Sequence, residues 1–185
     1  VWRNNSRNIM SQQRGKNKEK IIVAVSGGFD PIHPGHTRMF REAKQHGDEL
    51  VVILNNDNWL KKKKGYSFMS EQERKEVIES LRDVDRVVLT SHEENPEDMS
   101  VCKELEELKP HIFANGGDRD VKNSKKKDSS LKPEVPVCQA IGCRMVFNVG
   151  HGGKVQSSSW LLSNFLKEIP CQCGSGKKYK ECHEA

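Results

Sequence analysis

The stretch GGFDPIHPGHTRMF, residues 27–40, is separated by Ser26 alone from the apolar run IIVAV of residues 21–25. Five consecutive apolar residues predict a buried strand, and Pro34 followed by Gly35 predicts the first turn of a helix. Two histidines, His33 and His36, therefore stand where a buried strand passes into a helix. A helix N-terminus offers free N–H groups to an anion, so this position favours a phosphate site.

The rest of the chain repeats the alternation of strand and helix. Short apolar runs recur as LVVIL, RVVL, HIFA and RMVFNV, and segments of helical length separate them. Strands that alternate with helices are typical of parallel βαβ units, in which helices cover both faces of the sheet. We therefore expect an α/β fold with a Rossmann-like, doubly wound parallel sheet.

Helix boundaries can also be predicted from the sequence. The first helix is expected to run from Pro34 to Gly47. Ser70 and Glu73 form a capping-box pattern at the start of a second helix. Asn95 and Pro96 suit the cap and first turn of a third helix, which continues past Cys102. The segment 157–167 begins with three serines and becomes amphipathic, which predicts a last helix.

Length and charge set the domain organisation. With 185 residues the chain is long enough for one domain with appendages. We predict a disordered basic arm over 1–19, a catalytic domain over 20–168 and a small metal-binding appendage over 169–185.

The net charge of +5 gathers in the arm, in residues 61–64 and in residues 122–127. Each basic run is either solvated surface or a contact for a polyanion. Without an apolar span or signal-peptide pattern, we expect a cytoplasmic protein.

The histidine pair has a structural interpretation beside the chemical one. One histidine near a helix start is most often a solvated cap, but two at this spacing after a Gly-Gly-Phe-Asp turn favour a phosphate site. Asp30 can brace the turn. The lysine run 61–64 would by itself be a solvated loop, and the three serines a plain helix cap.

The motifs together resemble the nucleotidyltransferase superfamily that has the H-x-G-H signature. Its members include glycerol-3-phosphate cytidylyltransferase and the heptose-phosphate, nicotinate and pantetheine-phosphate adenylyltransferases. GGFDPIHPGH carries the signature, and four more motifs follow in the family's order: GDELVVILNNDNWLKKKKG, SEQERKEVIESLRDVDRVV, NGGDR and VQSSSWL.

The resemblance implies a role for each matching residue. His33 and His36 would hydrogen-bond the α- and β-phosphates of a nucleoside triphosphate, while Lys61 or Lys64 neutralises them on a closing loop. The expected nucleotide-binding residues are Gly27, Gly28, Phe29, Asp30, Asp118, Ser157, Ser158 and Ser159. Two departures from the family pattern, Gln156 before the serines and Arg119 after the Gly-Asp pair, bear on specificity.

The resemblance also implies the reaction. A nucleoside monophosphate, with CMP favoured and AMP next, would pass from a triphosphate to a phosphorylated small molecule, releasing pyrophosphate. The acceptor phosphate has a second pKa of about 6 and needs no strong base. Mg²⁺ would accompany the triphosphate. The alternative is a non-catalytic nucleotide-binding adaptor, and a homodimer is compatible with either function.

The last fifteen residues predict a metal site. Cys171, Cys173, Cys182 and His183 place four soft ligands within a short segment, which suits tetrahedral Zn²⁺. A disulfide or a free reactive tail would be the alternatives. The pattern C-x-C-x8-C-H resembles the SEC-C motif found at the end of bacterial SecA. That resemblance implies a contact module for a protein or ribosomal partner.

Overall fold

The computed structural model describes residues 19–116, 133–150 and 157–183, without the side chains of Lys180 and His183. Five parallel strands form one sheet in the order β3-β2-β1-β4-β5. The strands are β1 Ile22–Gly27, β2 Glu49–Leu54, β3 Arg86–Leu89, β4 Ile112–Gly116 and β5 Arg144–Val149. The helices are α1 Pro34–Lys44, α2 Asp57–Lys64, α3 Glu71–Glu79, α4 Cys102–Leu108, α5 Glu134–Ala140, α6 Ser158–Glu168 and α7 Tyr179–His183. The expected doubly wound α/β fold is confirmed.

Both faces of the sheet are covered, so its central strands are apolar at successive positions. On one face, Val25 and Leu54 pack against Phe40 of α1 in a cluster that also includes Ile78 of α3. On the other face, Ala24 and the neighbouring strand residues pack against α4 and α5 in a second cluster. The pattern is that of a parallel sheet buried between two helical layers.

The order of the strands reverses between β1 and β4, because the chain first adds strands on one side of β1 and then on the other. In open parallel sheets such a reversal leaves a crevice at the carboxyl ends of the strands. The segment 28–33 leaves β1 at this crevice and leads into α1. The fold therefore brings the histidine pair to the position where ligands bind in doubly wound sheets.

Several predicted boundaries differ from the structure. The first helix ends at Lys44, before Gly47, where a Cβ atom would lie 2.6 Å from the Ile21 carbonyl oxygen. The third helix begins at Cys102, because Asn95 has a positive φ of 51° that interrupts the helical path. The prediction of a helix start at Asn95 and Pro96 was wrong. Helix α5 had not been predicted.

The lysine run also differs from expectation. Lys61–Lys64 were expected on a loop, but they form the last turn of α2, which Gly65 ends in a left-handed conformation. Asn56 caps this helix by accepting a hydrogen bond from the Trp59 amide at 3.0 Å. Within the described residues, none of the helices is long and apolar enough to cross a membrane.

Candidate active site at the start of helix α1

The two histidines cap α1 reciprocally. His33 occupies the N-cap, and its Nδ1 accepts a hydrogen bond from the Gly35 amide at 3.1 Å. His36 lies in the first turn, and its Nδ1 accepts from the His33 amide at 3.3 Å. The rings stack with centroids 3.7 Å apart and an interplanar angle of 22°. The pair thus takes the roles that Ser and Glu take in an ordinary capping box.

The capping hydrogen bonds determine which ring nitrogen of each histidine carries the proton. A ring nitrogen that accepts a hydrogen bond carries no proton, so each neutral imidazole has its proton on Nε2. Burial lowers the pKa of His33, and the Lys64 ammonium lowers it further. Burial, then the neighbouring His33 and Lys64, lower the pKa of His36 to about 3. Near pH 7 the site therefore holds two neutral imidazoles, each with one Nε2–H donor.

Aromatic side chains pack against the histidine pair on the side of the core. Phe29 is buried and makes T-shaped ring contacts with His36 and Phe40, each with centroids 5.0 Å apart. Phe29 has a φ of 48°, and its ring fills the space that a side chain at position 27 would need. A Cβ at Gly28 would likewise lie 2.7 Å from Leu60 Cδ2. The two glycines therefore let the chain turn tightly between β1 and the histidines.

Lys64 reaches this loop, whereas Lys61 does not. The Lys64 Nζ donates to the Asp30 carbonyl oxygen at 2.8 Å, and burial lowers its pKa. Burial is the main cause of the lowered pKa of both histidines, and the Lys64 charge lowers both values further. Lys61 is exposed, and Lys62 donates to Asn95 Oδ1 at 2.6 Å on the outer surface. Of the two lysines expected at the phosphates, the structure brings only Lys64 beside the histidines.

Asp30 is fully buried, and its carboxylate braces a neighbouring loop. One oxygen accepts a hydrogen bond from the Phe68 amide and the other from the Met69 amide, both at 2.8 Å. Its carbonyl oxygen accepts from Lys64. The side chain therefore holds the segment after α2 against residues 28–33, the loop that leads to the histidines and is called the histidine loop below. Asp30 thus braces the turn, as expected from the sequence. Direct contact of Asp30 with a nucleotide stays a prediction.

The three serines at the start of α6 have different environments. Ser158 is buried, and its Oγ donates to the Pro31 carbonyl oxygen at 2.9 Å, which ties α6 to the histidine loop. Ser157 is the N-cap but makes no side-chain cap bond, and Ser159 is exposed. The helix start therefore lies beside the histidine pair. Asp118 lies outside the described residues.

Arg74 was missed by the sequence-based prediction, although it connects most parts of the site. Its guanidinium is fully buried and forms an ion pair with Asp57 at 2.6 Å. It also donates to the Gly28, Asn55 and Met69 carbonyl oxygens at 2.7, 2.8 and 3.1 Å. One side chain thus joins the ends of β1 and β2 to the start of α2 and α3.

The C-terminal cysteines come together as expected. The Cys171 and Cys173 sulfurs are 3.1 Å apart, and those of Cys173 and Cys182 are 3.4 Å apart. In the described part of the chain, these three form the one group of His, Cys, Asp or Glu residues close enough to hold a metal. Three thiolates suit zinc. The side chain of His183, the predicted fourth ligand, lies outside the described residues.

The C-terminal segment is joined to the end of α6. The Tyr179 amide donates to the Ile169 carbonyl oxygen at 3.0 Å, and the Cys171 amide donates to the Lys177 carbonyl oxygen at 2.8 Å. Lys178 and Glu168 form an ion pair on the surface. The cysteine cluster is therefore connected through α6 to the Ser158 anchor on the histidine loop.

Comparisons with known proteins identify relatives of both the sheet domain and the C-terminal segment. A sequence model of the cytidylyltransferase-like family matches residues 24–158, and one of the SEC-C motif matches residues 169–185. FAD synthase of Pyrococcus horikoshii is 41% identical over 102 residues, which cover 55% of this chain and 66% of that protein. The bifunctional protein HldE of Aliarcobacter butzleri is 37% identical over 109 residues, covering 58% of this chain and 22% of that protein.

A solved structure has the same fold. The lipopolysaccharide core biosynthesis protein from Thermoplasma volcanium is 28% identical with a TM-score of 0.56, covering 72% of this chain and 99% of that one. The matches to three FAD synthases span 59% to 66% of their lengths. The resemblance seen in the motifs is confirmed by the family match. The chain belongs to the cytidylyltransferase-like family and carries a C-terminal SEC-C motif.

Proposed function

We propose that the protein transfers a nucleoside monophosphate from a triphosphate to a phosphorylated small molecule and releases pyrophosphate. The observation that carries the proposal is the reciprocal histidine cap. Two Nε2–H donors at the start of α1 lie at the crevice of a doubly wound sheet, beside the Lys64 ammonium. This arrangement provides hydrogen-bond donors and one positive charge for a polyphosphate.

The lowered pKa values indicate whether the histidines would act in the reaction as hydrogen-bond donors or as acids. A neutral imidazole whose pKa is far below 7 stabilises charge by donating a hydrogen bond, and it does not supply a proton at neutral pH. The acceptor phosphate is already ionised near pH 7, so the transfer requires no general base. Catalysis would rest on alignment of the two phosphates and on preorganised donors at the α-phosphate, where charge accumulates.

ATP is the donor that we propose, with flavin mononucleotide as the acceptor. From the motifs, CMP was favoured over AMP. Four relatives, however, carry the name FAD synthase, and FAD is AMP joined to flavin mononucleotide by a pyrophosphate bond. Flavin mononucleotide is a phosphomonoester, which fits the acceptor class expected from the sequence. The preference for CMP stays a prediction without support from these names.

Metals and partners complete the proposal. Cys171, Cys173 and Cys182, with His183 as the fourth ligand, would hold Zn²⁺, which would stabilise the fold of the C-terminal segment. Mg²⁺ would enter with the triphosphate, whose phosphate oxygens are the ligands it prefers. Contact of the SEC-C segment with a protein or ribosome, a homodimer and a cytoplasmic location stay predictions.

Pyrophosphate release tests the proposal. Purified protein would be assayed with ATP or CTP, each paired with flavin mononucleotide, glycerol 3-phosphate or a heptose phosphate, and FAD would be identified by chromatography. Riboflavin, which lacks the phosphate, is the matched negative acceptor. We expect release with ATP and flavin mononucleotide. Binding of a triphosphate without pyrophosphate release for any pair would favour the adaptor function.

A further inference from the structure

Asn55, which follows β2 directly, has a buried side-chain oxygen that the fold leaves unsatisfied. The residue is only 3% exposed, and within the part of the chain that the structure describes its Oδ1 has no hydrogen-bond partner. A buried acceptor without a partner destabilises the folded protein, so native structures contain few of them. The Asn55 side chain is therefore a candidate contact for a ligand that supplies the missing donor.

The backbone of Asn55 is tied to the start of the histidine loop. Nη1 of Arg74 donates both to the Gly28 carbonyl oxygen at 2.7 Å and to the Asn55 carbonyl oxygen at 2.8 Å. The Asn55 amide donates to the Gly27 carbonyl oxygen at 3.0 Å, which continues the pairing of β1 with β2. Asn55 thus lies beside Gly28, at the carboxyl edge of the sheet where the transfer site is proposed.

The Asn55 side chain lies on the face of the sheet opposite to α1. Ile53, two residues earlier, packs in the cluster that includes residues of α4 and α5, and side chains two residues apart along a strand lie on the same face. Phe29 and Phe40, which pack beside the histidine pair, belong to the cluster on the other face. The end of β1 therefore lies between the histidine pair and Asn55.

The geometry of phosphoryl transfer gives this position a role. The attacking and leaving oxygens lie roughly in line on opposite sides of the phosphorus atom. Under the proposed function, the serines at the start of α6 bind the departing phosphates, and Ser158 contacts the histidine loop at Pro31. Asn55 adjoins the other end of that loop, at Gly28. The acceptor would therefore approach the α-phosphate from the side of Asn55.

We propose that Asn55 is a specificity-determining residue, whose Oδ1 accepts a hydrogen bond from a hydroxyl group on the carbon chain that bears the acceptor phosphate. An amide oxygen can only accept a hydrogen bond, so its partner must be a donor such as a hydroxyl group. In flavin mononucleotide this carbon chain is the ribityl chain, which carries hydroxyl groups next to the phosphate. The inference rests on the proposed function and adds the group by which the acceptor is recognised.

Steady-state kinetics with two acceptors test the inference. One acceptor is flavin mononucleotide, and the other is a flavin whose pentyl phosphate chain lacks the hydroxyl groups. The key variant is Asn55→Leu, which keeps the approximate shape and removes the carboxamide. Asn164→Leu, at an exposed position on α6, is the control. Thermal melting shows whether each variant is folded, and we expect Asn55→Leu to melt at or above the wild-type temperature because it removes an unpartnered buried oxygen.

We expect kcat/KM of the wild type and of Asn164→Leu to be at least about tenfold higher for flavin mononucleotide than for the analogue without hydroxyl groups. Asn55→Leu should lose this preference while its KM for ATP stays at the wild-type value, a combination that a merely structural role would not produce. The inference is overturned if the wild type does not distinguish the two acceptors, or if Asn55→Leu keeps the preference.

Failure of the proposed function would give a different result. If the wild type uses another acceptor in place of flavin mononucleotide, that acceptor is compared with its own analogue without hydroxyl groups, such as propyl phosphate for glycerol 3-phosphate. The same loss of preference in Asn55→Leu would then support the role of Asn55 and refute flavin mononucleotide as the acceptor. An absence of pyrophosphate release with every acceptor would refute both the proposed function and this inference.

Discussion

The histidine loop and the C-terminal segment both bring together residues that can bind a ligand, but they are ordered by different forces. Around α1, buried side chains determine the geometry: Phe29 supports His36, and Arg74 holds the loop carbonyls. In residues 169–183, most of the side chains that the structure describes are exposed, and the main cluster is that of Cys171, Cys173 and Cys182.

This difference explains how each region acquires its shape. The histidine pair is held by the sheet and its core, so under the proposed function it is preorganised before a substrate binds. The C-terminal segment exposes most of its described side chains, so under our proposal a metal bound by the cysteines supplies its folding free energy. The transfer site should therefore respond to changes in the core, and the C-terminal segment should respond to chelators.

The largest effect is expected from Arg74→Met, which would damage the preorganised region. The change leaves the Asp57 carboxylate and three carbonyl oxygens without their buried partner. We expect a loss of about 3 kcal/mol or more in the free energy of unfolding. Denaturant unfolding measures it. The control is Arg82→Met on the surface, where the change should be below about 1 kcal/mol. Similar losses for both variants would refute the role assigned to Arg74.

The histidines should affect activity more than stability. His33→Ala or His36→Ala removes one Nε2–H donor, so we expect turnover to fall at least about 100-fold, or roughly 3 kcal/mol of transition-state stabilisation. Steady-state kinetics with the substrates identified by pyrophosphate release would measure this. His46→Ala, at an exposed position just after α1, should leave turnover unchanged. Wild-type rates in both site variants would place the reaction elsewhere.

Removal of zinc should affect the C-terminal segment and leave the sheet domain folded. A chelator should unfold residues 169–183 while the sheet domain keeps its melting transition, and a chain truncated after Lys167 should retain nucleotidyl transfer. Metal analysis, circular dichroism and the transfer assay check these outcomes. Purified protein with reduced cysteines but no zinc would exclude the site. A folded but inactive truncation would show that the segment contributes to catalysis, for example through the α6 contact with Pro31.

A smaller effect is expected within the lysine run. Lys64→Ala removes the ammonium beside the histidines and should weaken triphosphate binding about tenfold. Lys63→Ala removes an exposed charge from the same turn of α2 and serves as the control. Lys61 was expected to matter together with Lys64, but its exposure predicts a change close to that of the control. Equal, small changes in triphosphate binding at all three positions would indicate that the lysine run is only a solvated helix end.

Features set by local sequence were predicted well. The runs RVVL and RMVFNV coincide with β3 and β5, and the Ser70–Glu73 capping box forms both of its bonds. The metal-ligand pattern of the cysteines is local as well, and the structure brings them together.

Features that depend on tertiary contacts were not predicted. The role of Arg74 depends on carbonyl groups up to 46 residues away in the chain. The one local signal was a charge at position 74, one helical turn before the apolar Ile78 of the same helix. Asn95 and Pro96 carry helix-start signals, yet tertiary structure gives Asn95 a positive φ and the Lys62 contact.

The neutral state of the histidine pair is the central claim, and nitrogen NMR of the imidazoles tests it most directly. At pH 7 we expect both rings to be neutral, with the proton on Nε2 and an unprotonated Nδ1. Since an unfolded histidine titrates near pH 6.5 and folded His36 near 3, the wild type should lose stability as the pH falls below about 6.5, by up to about 1.4 kcal/mol per pH unit from His36. A doubly protonated imidazolium at either position at pH 7, or the proton on Nδ1, would contradict the account.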